Sequence, residues 1–141
     1  MNLVDFPYQL AADGVLVTHA ALVAFVVGGL VVILLGNLRG WSWVNAPLFR
    51  IAHLAAIAAV VLEAWFGITC PLTAAERWLR TRAGVSTYQE SFIEHWLEAL
   101  LFYQGPPWLF TLCYTVFGLA VALTWWAFPP RSRRDRRHAN A

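Results

Sequence analysis

The chain has 141 residues, 60% of them hydrophobic and 13% charged, with a mean hydropathy of +0.57. A soluble domain carries about twice that charged fraction, so the composition sets aside an ordinary water-soluble fold and indicates one integral membrane domain. The net charge is +2, every basic residue is an arginine, and the cluster near the C-terminus accounts for the excess. A basic tail after an apolar segment reads as a topology signal beside anionic lipid, not as a nucleic-acid site.

The first predicted span covers residues 15–35, about the 20 residues needed to cross the hydrocarbon. His19 is its only ionisable residue, and Ala20, Ala24 and Gly28 form a stripe on which another helix could approach closely. A link with Gly, Asn, Pro and two Trp follows, as expected of an interfacial loop. The second predicted span covers 51–69, with Ala52, Ala56, Ala59, Glu63 and Gly67 on one face, which places Glu63 on the packing side. Pro71 is expected to end it. Thr73 and Glu76 then read as a capping box opening a short amphipathic helix over 74–82 that stops at Gly84, with Glu76 and Arg80 spaced as an i,i+4 pair.

A second capping box, Thr87 to Glu90, opens the segment 88–104, which is closed by Gly105-Pro106-Pro107. Its polar face holds Ser91, Glu94, His95 and Glu98. It is either a span with that face turned inward or a helix lying in the interface. The last span is expected over 108–128, and residues 129–141 form a basic tail without a core of its own.

The expected fold is therefore all-α: an integral membrane helical bundle over residues 1–128, with a disordered cytoplasmic tail over 129–141. Four transmembrane helices are preferred, because that count places Arg77, Arg80 and Arg82 on the same inner face as the five tail arginines. Three spans plus one interfacial helix is the alternative. The expected location is the bacterial inner membrane, multi-pass, with the C-terminus cytoplasmic. Cys70 falls on the cytoplasmic side in the four-span arrangement, and Cys70 and Cys113 are expected as free thiols.

Depth along the helices gathers His19, Glu63, Cys70, Glu94 and His95 near one membrane face, with His53 about 20 Å away near the other. Imidazole, carboxylate and thiolate are metal ligands, and two His on different helices can hold a haem axially. The candidate cofactor ligands are thus His19 and His95, and the candidate metal set is His19, Glu63, Cys70 and His95. Beside that stand blander readings: His19 hydrogen-bonding across helices, Cys70 as a small apolar residue, Cys113 in the core, Glu76 and Glu90 as caps, and His53 at headgroup level with Arg50.

At "CPLTAAERWLR", followed by "YQESFIEHW", the chain resembles a bacterial family of small multi-pass membrane proteins catalogued as domain of unknown function 2784. Its pattern falls here on His19, His53, Glu63, Cys70 to Thr73, Glu76, Leu79-Arg80 and Phe92 to His95. The chain departs from it at Trp96, where members often have Tyr, and at "FYQGPP", where they have Tyr-Pro. The resemblance spans residues 10–125 and implies a membrane location and a bacterial source, but no activity. From the residues, the first expectation is a membrane protein binding a metal or haem near one face. The alternative is an accessory or assembly subunit without chemistry of its own, and a small proton-coupled transporter comes third. The expected partners are the lipid bilayer, other membrane proteins or further copies of the chain, and no nucleic acid.

Overall fold

The computed structural model describes residues 6–84 and 106–130. These residues are all-helical: α1 (Phe6–Leu38), α2 (Pro47–Phe66), α3 (Pro71–Arg82) and α4 (Pro107–Ala127), with a single 3-10 turn at Ser42–Asn45 between α1 and α2. Three of them, α1, α2 and α4, are long and apolar enough to cross a membrane. The expected helix over 88–104, its capping box and its polar face lie outside the described residues.

Several boundaries differ from expectation. Helix α1 starts nine residues before the apolar run and has 33 residues, about 50 Å of helix, because Gln9 and Asp13 continue the backbone ladder although they carry no hydropathy signal. Helix α2 ends at Phe66, and Gly67, not Pro71, stops it. Gly67 takes φ +63°, and the Ile68 N–H closes back on the Glu63 carbonyl at 2.8 Å, a Schellman ending that a Cβ at Gly67 would strain. Gly40 and Gly84 end α1 and α3 in the same left-handed region. Pro71 instead opens α3 as its first helical residue, where its missing N–H is not needed, with Cys70 at the N-cap. Thr73 is therefore inside α3 and is not its cap.

The chain groups into two compact units, residues 1–22 with 63–111 and residues 23–62 with 112–141. In the second unit, Val26, Ile57 and Val121 form a core, flanked by Leu30, Leu54, Val61 and Phe117. Here α2 runs antiparallel to α4. Arg50 near its start meets Thr124 and Phe128, and Val61 near its end meets Gly118. Asn37 and Asn45 exchange side-chain amide hydrogen bonds, 2.7 Å in one direction, and pin the link after α1.

The packing faces also differ from the expected stripes. The buried positions of α1 are Ala12, His19, Val26 and Ile33, a seven-residue spacing, together with Gly29 and Gly36, three residues after Val26 and Ile33. Ala20 and Ala24 are exposed, and nothing approaches Gly28. On α2 the buried line is Arg50, His53 and Ile57, while Ala52 and Ala59 are exposed and Glu63 is half-buried. Cys113, expected in the core, is exposed on α4.

Candidate functional site

The first unit concentrates the polar chemistry. Helix α3 turns Thr73 and Glu76 inward until both are almost fully buried. Thr73 Oγ1 lies 3.4 Å from His19 Nδ1 on α1, and the His19 side chain is itself buried. Glu76 accepts a 2.8 Å charge-assisted hydrogen bond from Arg80 Nε, the i,i+4 pair expected from spacing. Arg80 Nη2 reaches across to Asp13 on α1 at 3.2 Å. One guanidinium thus sits between a buried carboxylate and an exposed one, and the Glu76 hydrogen bond in particular holds Arg80 above its ordinary pKa. Glu76 is no helix cap. It is the buried acid of a cluster in which α3 is tied to α1.

Cys70 and Glu63 form a second contact in the same unit. The Cys70 thiol is half-buried, and burial is the main force pushing its pKa up. The Glu63 carboxylate, as a nearby charge and hydrogen-bond acceptor, pushes it further, while the Leu72 and Thr73 backbone amides pull it back. This thiol is held protonated more firmly than a free one. Among the described residues no three His, Cys, Asp or Glu side chains gather into a group that could hold a metal. His19, Glu63 and Cys70 therefore do not assemble as a triad, and His95 lies outside the described residues.

The second unit holds two ionisable residues that sequence reasoning placed at headgroup level. Arg50 and His53 are both fully buried. Arg50 Nη2 donates to the Thr124 and Phe128 carbonyls at 2.7 and 3.1 Å, and its guanidinium packs over the Trp125 ring at 5.5 Å. It thus caps the carbonyl end of α4, where a cation also meets the negative end of the helix dipole. His53 Nε2 donates to the Val26 carbonyl at 2.7 Å, which fixes the proton on that nitrogen. The ring lies over Gly29, beside Phe25 and Phe49. The signal for both was present: an ionisable residue within an apolar run normally faces protein.

The stretch that carries the resemblance, "CPLTAAERWLR", is thus the N-cap and body of α3, and its Thr73, Glu76 and Arg80 are the residues that meet α1. Residues 9–130 match the family model described as Protein of Unknown function (DUF2784). The chain belongs to this family. No curated protein and no solved structure matches it. Family membership assigns no reaction to the cluster.

Proposed function

We propose that this DUF2784 protein is an accessory or assembly subunit of the bacterial inner membrane, in which the α1–α3 cluster is a structural tie. One observation carries the reading: the charges of the cluster answer one another, Arg80 with Glu76 and Asp13 at 2.8 and 3.2 Å, beside the Thr73–His19 contact. Such a tie fixes a short helix at the membrane face without chemistry of its own. The test is the size of the particle released by mild detergent from native membranes. A complex of defined stoichiometry holding this chain and other polypeptides is expected, and a lone monomer would contradict it.

The antiparallel pairing of α2 and α4 supports an orientation. If both cross the bilayer, α4 enters from the face at which α2 leaves, so Gly84 and Pro106 share a face and the chain makes three crossings. With the five tail arginines inside, Arg39 also lies inside and α3 outside. The charge of Arg80 is offset by Glu76 and Asp13, which weakens the argument that α3 must be cytoplasmic. In this reading Cys70 faces outward, the reverse of the four-span expectation. Thr81→Cys, an exposed position in the last turn of α3, in a Cys70→Ser, Cys113→Ala background should react with an impermeant thiol reagent added to intact cells. Reaction only after the cells are opened restores the four-span arrangement.

A second reading, a metal or haem site, is favoured by the Cys70–Glu63 contact in the unit that also holds His19. It requires His95 to complete the set. Its mark is a bound group that His19→Ala and His95→Ala both remove while His53→Ala leaves it in place.

A further inference from the structure

The first two turns of α3 turn polar groups inward and apolar groups outward, while Thr81 and Arg82 in its last turn are exposed. Thr73 and Glu76 are buried, and the Arg80 side chain, in contact with Glu76 and Asp13, is 21% exposed. The opposite face, Pro71, Ala74, Ala75 and Trp78, is exposed, and Trp78 leaves 55% of its surface uncovered. A water-facing helix would show the reverse pattern, with charge outward and apolar groups inward. Just before α3 in the chain, Trp65, Phe66 and Ile68 are all exposed, at the end of a helix apolar enough to span the bilayer. Only residues 67–70 separate that helix from α3. At the edge of the outward face, Arg82 lies 5.1 Å over the Trp78 ring. A Trp with an apolar body and a cation reaching past it is the pair that suits the boundary between acyl chains and headgroups.

We infer that α3 is an interfacial anchor: its Pro71–Ala74–Ala75–Trp78 face rests on lipid, and Arg82 binds the phosphate of an anionic phospholipid. The inward polar face and the outward apolar face then serve one purpose. Arg80, Glu76 and Thr73 hold the helix to α1, and Trp78 and Arg82 hold it to the bilayer. The inference is independent of which membrane face α3 occupies and of whether the chain has partners.

The test uses the full chain in nanodiscs of phosphatidylcholine with phosphatidylglycerol. A spin label at Ala75→Cys, in the Cys70→Ser, Cys113→Ala background, should collide more with oxygen than with a water-soluble nickel chelate, and a label at Ala74→Cys should behave alike. Preference for the nickel reagent would place the face in water and overturn the inference. Shielding from both reagents would mean that protein covers it, which also overturns it. For the headgroup, Arg82→Gln should lower phosphatidylglycerol retained on the purified protein by about fivefold, the effect of one cation near an anionic surface. Retention unchanged from wild type would remove the phosphate contact.

Discussion

The two compact units solve the same problem, ionisable groups in an apolar setting, in opposite ways. In the unit holding α3, side chains answer side chains: Arg80 meets Glu76 and Asp13, and Thr73 meets His19. In the other unit, side chains answer backbone: Arg50 meets two carbonyls at the end of α4, and His53 meets the Val26 carbonyl. Backbone carbonyls do not titrate and do not move without the helix. The Arg50–His53 arrangement is therefore tied to the helix backbone, whereas the α1–α3 arrangement is held by side chains on two different helices.

The largest effect should come from breaking the Arg50 contacts. Arg50→Ala removes two charged hydrogen bonds and the Trp125 stack, a loss of about 3 kcal/mol. The thermal unfolding midpoint in detergent should fall by on the order of 10 °C. A change of a degree or two would show that Arg50 is not what closes α4.

Within the α1–α3 cluster the two acids should separate by burial. Glu76, 1% exposed, loses about 2 kcal/mol on conversion to Gln, because the 2.8 Å bond from Arg80 forfeits its charged acceptor. Asp13, 62% exposed, should lose less than about 1 kcal/mol on conversion to Asn. Equal losses in urea or thermal unfolding would mean that the cluster does not follow burial.

A smaller contrast lies on α1. A methyl at Gly29 would overlap the His53 ring, whereas nothing lies within 4 Å of one at Gly28. Gly29→Ala should cost about 1.5 kcal/mol by overpacking, and Gly28→Ala should be neutral within error of the same unfolding measurement. The smallest effect is kinetic. In a Cys113→Ala variant, Cys70 should alkylate more slowly at neutral pH than an unperturbed thiol, since a raised pKa leaves less thiolate at any pH below it. Glu63→Gln should shift the pH–rate curve to lower pH. A curve that does not move would remove Glu63 from the surroundings of the thiol.

The sequence made some of this legible. Three apolar runs gave three long helices, Glu76 and Arg80 were read as a pair from spacing, and Gly84 was read as a stop. The helix faces were not legible, because a span with few polar residues offers little periodic contrast and small residues occur on several sides. Ala20, Ala24 and Gly28 looked like a packing stripe, yet the buried line is Ala12, His19, Val26 and Ile33. The start of α3 was misread because Thr-x-x-Glu satisfies the capping-box pattern, while Pro71 two positions earlier already supplies the first helical residue. That shift of register carries Thr73 from a solvent-side cap to a buried contact with His19.

The most direct measurement is metal by elemental analysis and haem by the visible band, per mole of folded protein expressed with iron and haem precursor supplied. If the α1–α3 cluster is a structural tie, wild-type protein carries neither in stoichiometric amount, and His19→Ala alters unfolding without altering a spectrum. A stoichiometric metal or haem that His19→Ala removes would contradict the tie and make the cluster a cofactor site.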